Sequence, residues 1–219
     1  ARLLFVLSAR PEFRPPWAQH PGFQRIGLER LPAAFTEQLV REVTRGQELP
    51  AEVVTQLVAR TDGIPLFVEE MTRVMLEGGA AASIPVTLQE LLLARLDSLP
   101  RRQKQLAQLC AVVGRSFSSA LLAQLTGLRS TVLRRDLAGL MAAGLLQARD
   151  DEAEPGFQFR HALIQEAAYQ SLPRSARRPY HQRIAQALVA HFPEVAETRP
   201  ELLAHHYTEA GEMTPAIHY

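Results

Sequence analysis

At 219 residues with 47% hydrophobic side chains, the chain is long enough for two or three small domains, each with a core of its own. Its 24 Lys and Arg against 23 Asp and Glu leave a net charge of +1, which argues against a dedicated nucleic-acid binder. The single Cys110 excludes a disulfide framework or a CxxC metal site and points to a reducing cytoplasm, and no apolar stretch approaches bilayer length.

Leu3-Leu4-Phe5-Val6-Leu7 opens the chain as a continuous apolar run, the pattern of a strand buried on both faces of a parallel sheet. It passes into Ser8-Ala9-Arg10, which puts polar groups where open α/β sheets bind ligands. Ala1 is not an initiator Met, this strand pattern has no preceding partner, and the chain stops at Tyr219 inside a helical pattern. A fragment of a longer polypeptide is the expectation. Pro15-Pro16, Trp17 and Pro21-Gly22 then read as loop up to about Pro32.

Helical periodicity starts with Phe35, Leu39, Val40 and Val43, with Thr36 as a candidate cap, and resumes over Val53, Val54, Leu57 and Val58 until Asp62-Gly63. Pro65 opens a third helix through Phe67, Val68, Met71 and Met75. Glu77 to Ser83, with no large apolar side chain, reads as a linker. Apolar stripes follow: Leu88 to Leu99, Leu106 to Val113, Leu121 to Leu125, and Leu133, Leu137, Leu140 and Met141. The period then changes to two over Leu145 to Ala148 and Phe157 to Phe159, either side of a polar turn from Asp150 to Gly156. Helices closed by a two-stranded wing have the order of a winged helix. Helical patterns return from Leu163, from Tyr180 and from Leu202, and Ala210 to Ala216 reads as a turn between repeat helices.

The segments LLFVLSARPEF, GIPLFVEE, TLQELLLARLDSLP and FRHALIQEAAYQSL, in that order, resemble the C-terminal half of the STAND-type signalling ATPase modules of bacteria. Such modules occur in multidomain adenylate or guanylate cyclases, LuxR-type regulators and some Ser/Thr kinases. The resemblance implies a mainly α fold: the sensor strand of a P-loop α/β sheet over 1–30, a helical lid over 31–77 and a linker over 78–87. A winged helix with a β-hairpin wing over 88–173 and a helical tail leading into TPR-like repeats over 174–219 complete it. It further implies an upstream P-loop core, an effector domain or self-assembly surface, and ATP or ADP with Mg²⁺ in the full-length protein. No Gx4GK[ST] loop and no acidic strand end of the Walker-B kind occurs, so this part is expected to have no catalytic residues and no activity of its own.

Residue by residue, the resemblance makes Ser8 and Arg10 sensors of the γ-phosphate, where a guanidinium can stabilise phosphoryl charge. It lays the Gly63-Ile64-Pro65 turn against the base and ribose, and brings His161 to the β-phosphate of ADP. Ala162 stands where the family carries an Asp, so half of that latch is missing. Each residue also has a plain structural reading: Arg10 as a loop cap, Gly63 and Pro65 as helix stop and start, His161 as a helix cap or a partly buried side chain. Glu69 and Glu70 are accounted for by the helix dipole. Arg129, Arg134 and Arg135 could meet DNA from the helix before the wing, but Asp136 stands beside them and a solvated face is the simpler account. Arg174, Arg177, Arg178 and Arg183 read as a solvated face too. His205 and His206, being adjacent, point to different helix faces and lack a HExxH partner. Two other functions fit the pattern: a winged-helix transcription regulator, and an interaction scaffold whose nucleotide site has decayed.

Overall fold

The computed structural model describes residues 3–10, 12–78, 87–149 and 156–219. The chain is mainly helical, with twelve helices and one small antiparallel sheet among the described residues. It divides into two compact units, Ala1–Ala82 and Ser83–Tyr219. The expected linker, 78–87, and the expected wing turn, 150–156, lie almost wholly outside the described residues.

The first unit holds α1 (Ala33–Thr44), α2 (Ala51–Thr61) and α3 (Pro65–Gly78). Helix α3 is the core element: Phe67, Val68, Met71 and Met75 are buried against α1 and α2, which contribute Val40 and Leu57. Helix α1 begins a turn before the expected cap. Pro32 holds the N-cap position, and Thr36 is buried inside the helix with its hydroxyl donating to the Leu31 carbonyl at 3.5 Å. Phe35, counted from its spacing as a core residue, is 59% exposed.

The strand expected over Leu3–Leu7 does not form. These five residues are 71–88% exposed and have no strand partner among the described residues. A strand buried on both faces needs neighbours along its edges to satisfy its backbone groups, and this unit supplies none.

The second unit begins with α4 (Leu88–Ser98), set by a capping box: the Glu90 amide donates to Thr87 Oγ1 at 3.1 Å and the Thr87 amide donates to Glu90 Oε2 at 3.3 Å. Helix α5 (Arg101–Val113) is buried on every side from Leu106 onward and forms the axis of the unit. Strand β1 (Ser116–Ser118), α6 (Ser119–Thr126), α7 (Ser130–Ala142), β2 (Leu146–Arg149) and β3 (Gly156–Phe159) follow. The sheet order is β1-β3-β2, all antiparallel, with Phe117 opposite Phe157 and Leu146 opposite Phe159. Sequence periodicity misses β1 because three residues hold only one inward side chain, Phe117.

Helices α8 (Ala162–Gln170), α9 (Arg174–His191), α10 (Pro193–Thr198), α11 (Pro200–Ala210) and α12 (Met213–His218) complete the chain. Ile184, Leu188 and Leu203 belong to one continuous core with Leu92, Leu122, Leu140 and Phe159, so residues on both sides of Arg174 pack as one body. Met141 and Leu163, assigned inward from periodicity, are 37% and 45% exposed. No helix among the described residues is long and apolar enough to cross a membrane.

Candidate functional site

The Gly63 turn is built by backbone constraint. Asp62 and Gly63 both take left-handed φ, +49° and +66°, which breaks α2 and lets Pro65 start α3 with the fixed φ it favours. The Leu31 amide donates to the Gly63 carbonyl at 2.8 Å, tying the incoming loop to the turn, and Arg30 pairs with Asp62. A Cβ on Gly63 would run into the Leu31 backbone oxygen and nitrogen, so glycine is required for space as well as for φ. Pro65 and Ile64 remain exposed at the lip of the turn. Behind them Glu70 is fully buried and paired with Arg73 at 3.1 Å, with Glu69 at 3.7 Å from the same guanidinium. The sequence accounts for both glutamates by the dipole at the start of the helix; here both also meet the Arg73 guanidinium.

Ser8 and Arg10 lie in the extended segment of the same unit, both exposed. Arg10 contributes its carbonyl to a short turn, accepting from the Phe13 amide at 3.0 Å. His161 belongs to the second unit. It occupies the N-cap position of α8, directly after β3, with extended backbone (φ −136°, ψ 146°) and no side-chain cap bond. Its carbonyl starts the helix, accepting from Ile164 at 3.1 Å. Strand β3 fixes it there: Phe159 is buried to 1% exposure, and the Arg160 amide donates to the Leu145 carbonyl at 3.1 Å.

Arg160, next to His161 in the chain, and Arg95 of α4 act on one another electrostatically. Arg95 of α4 is buried, with one guanidinium nitrogen donating to the Ala143 carbonyl at the end of α7. Its burial, and after that the neighbouring Arg160 charge, lowers its pKa from the usual value. Arg160 precedes His161 in the chain and is exposed beside the start of α8. Arg95 lies within the segment TLQELLLARLDSLP but is not singled out from the sequence.

Arg134 and Arg135 are exposed on α7. Asp136 is 1% exposed and accepts two bonds from Arg102 of α5, at 2.5 and 2.9 Å, with Arg135 Nε 4.0 Å away. Its charge is spent on joining two helices. Three arginines of the basic set on α9 also depart from a solvated face. Arg177 donates to the Gln170 and Leu172 carbonyls at 3.3 and 3.0 Å and lies 4.3 Å from the Tyr169 ring centroid. Arg178 donates twice to Ala210 at 3.3 Å, and Arg183 donates to Leu125 at 2.5 Å. Each meets the C-terminal end of a different helix, where unpaired carbonyls and the helix dipole attract cations.

The histidine pair needs the largest correction. His205 and His206 do occupy different environments, exposed and buried, yet both meet His181 of α9, which precedes His206 by 25 positions. His181 Nδ1 and His206 Nδ1 are 2.8 Å apart, and the His205 ring lies 5.6 Å from His181 and 5.4 Å from His206. Tyr169 Oη reaches His181 Nε2 at 3.1 Å. Burial holds both inner rings in the neutral form, lowering His181 to about 4 and His206 to about 3. The third ring comes from packing of α9 on α11, which no local spacing reveals.

No protein-family model matches the chain. It is similar to "Uncharacterized protein R02095" of Rhizobium meliloti (strain 1021), with 25% identity over 230 residues that cover 98% of this chain and 22% of that protein. The chain thus spans less than a quarter of that relative's length.

Proposed function

We propose that the chain is the C-terminal part of a STAND-type nucleotide switch, in which ATP or ADP bound by an upstream P-loop core sets the position of a winged helix. The observation that carries this reading is the element order of the second unit. A helix, a strand, two helices and two further strands, with β3 central in the order β1-β3-β2, agree with the order expected of a winged helix, and His161 follows the last of these strands. The place of His161 at the start of α8, next to Arg160, supports a phosphate contact for it. The five exposed apolar residues at Leu3–Leu7 support the reading as well, since an upstream sheet would cover them. So does the length of the Rhizobium meliloti relative, of which this region is a minor part.

In this scheme the chain's residues divide the work. Arg10, with Ser8, meets the γ-phosphate. The Gly63 turn offers Pro65 as an apolar wall for the base, and His161 holds the β-phosphate of ADP. Bound nucleotide supplies, with Mg²⁺ held by the core, the phosphoryl group whose presence or loss is the signal. The winged helix then moves relative to the core, and the helical tail passes the change to TPR-like repeats and an effector domain, a two-state switch of the domain-motion kind.

The test is the release rate of a fluorescent ADP analogue from a polypeptide that includes the upstream core. His161→Ala removes one hydrogen bond worth about 1–3 kcal/mol, so release should quicken roughly five- to 150-fold, toward the low end because Ala162 replaces the acid. Arg10→Ala should leave ADP release unchanged and weaken only the response to ATP. The opposite pattern overturns the assignment, and no nucleotide binding at all would favour a scaffold with a decayed site. A DNA-binding regulator has one observation in its favour, the exposure of Arg134 and Arg135 on α7. It requires salt-dependent DNA binding by this chain that Arg134→Ala and Arg135→Ala reduce.

A further inference from the structure

We propose that His181, His205 and His206 form a binding site for one divalent transition-metal ion of the zinc class, closing α9 onto α11. One ligand nitrogen from each of the three rings can be chosen so that all lie within 4.8 Å of one another. Two imidazole nitrogens on one tetrahedral zinc, each at 2.0–2.1 Å, are separated by roughly 3.4 Å. The Nδ1 atoms of His181 and His206 face each other at 2.8 Å, so a side-chain shift of about half an ångström opens the space for an ion.

The hydrogen bonding around the pair points the same way. If His181 donates from Nδ1 to His206, its Nε2 accepts from Tyr169, and His206 keeps a buried Nε2–H that has no partner. If His206 donates instead, its buried Nε2 is an acceptor without a donor. Neither tautomer satisfies the cluster. With a metal bound, both Nδ1 lone pairs face the ion instead of each other, and His181 Nε2–H donates to Tyr169 Oη, the second hydrogen bond that orients most metal-ligating histidines, while the buried Nε2–H of His206 stays as it was. Both buried rings are already neutral at physiological pH, the form that ligates. His205 closes the site from the solvent side, and Glu209, one turn further along α11, is near enough to act on the charge of His181. Its carboxylate or a water can take the fourth position. An all-imidazole set favours zinc, copper or nickel over calcium or magnesium.

The experiment titrates the 219-residue chain with zinc chloride in competition with a chromophoric chelator, and repeats it with cobalt(II) as a spectroscopic probe of coordination. One ion per chain is expected, with a rise in melting temperature and a four-coordinate cobalt spectrum. His205→Ala, at an exposed position that leaves the packing of α9 on α11 untouched, should weaken binding at least about tenfold, and Tyr169→Phe about tenfold or more through ring orientation. His20→Ala and His218→Ala should change nothing. Absence of saturable one-to-one binding in the micromolar range, or binding that His205→Ala leaves intact, overturns the proposal.

Discussion

Phe159→Ala tests the packing on which the position of His161 depends. Phe159 is 1% exposed, sits on the central strand opposite Leu146, and meets Phe117 edge-on with centroids 6.0 Å apart and planes at 74°. Truncating a buried Phe to Ala costs about 3–5 kcal/mol, of which about 0.5–1.5 kcal/mol belongs to the aromatic pair. A unit of about 140 residues carries roughly 7–20 kcal/mol of stability, so the variant still folds at room temperature. At roughly 3 °C per kcal/mol its melting temperature should fall by roughly 10–15 °C. Calorimetry reads the fall, and hydrogen exchange over β3 and the start of α8 shows where protection is lost. A double-mutant cycle with Phe117→Ala should return a coupling of about 0.5–1.5 kcal/mol. If the two losses simply add, the edge contact contributes nothing. A fall of only a degree or two refutes the placing of β3 at the centre of the core.

Gly63→Ala must place a Cβ at φ +66° against the Leu31 backbone, so about 2–4 kcal/mol should be lost from the first unit. Urea denaturation followed by the single Trp17 reads it, and a variant as stable as the parent refutes the turn. The histidine cluster predicts loss of stability in acid, measured as melting temperature with EDTA present. Above pH 6.5 neither the folded nor the unfolded chain holds a proton on His181 or His206. As pH falls toward 4, the unfolded chain takes up protons that the buried rings refuse, so stability falls through that window and levels off below the folded values of about 4 and about 3. Tyr169 and Arg177 on one side, and His205 and Glu209 on the other, face the pair; Glu209 moderates the effect on His181 while Arg177 and His205 reinforce it. His206→Gln should flatten the profile, and an unchanged profile refutes the reading.

Helices were legible wherever the apolar spacing and the stop signals agreed, as at Val53 to Asp62 and Thr87 to Leu99. The Gly63 turn was legible because glycine before Ile-Pro has few other uses. What escaped the sequence depended on partners distant along the chain. Leu3–Leu7 has the composition of a strand, but a strand exists only through its neighbours. Phe117 forms a strand because β3 lies beside it, not because of its own three-residue pattern. The arginines of α9 looked solvated because a helix end from elsewhere leaves no mark on local sequence. Adjacent histidines were set aside on sound helical geometry, and only the docking of α9 supplied the third ring.

Arg177, Arg178 and Arg183 have a joint mechanical effect. Within about two turns of α9 they reach the terminal carbonyls of α8, α11 and α6. Hydrogen bonds weaken steeply with a few tenths of an ångström or with misalignment, so α9 cannot slide or rotate against one of these helices without straining its bonds to the other two. The helix behaves as a cross-brace. A displacement of α11 is thereby resisted at α8 and α6 as well.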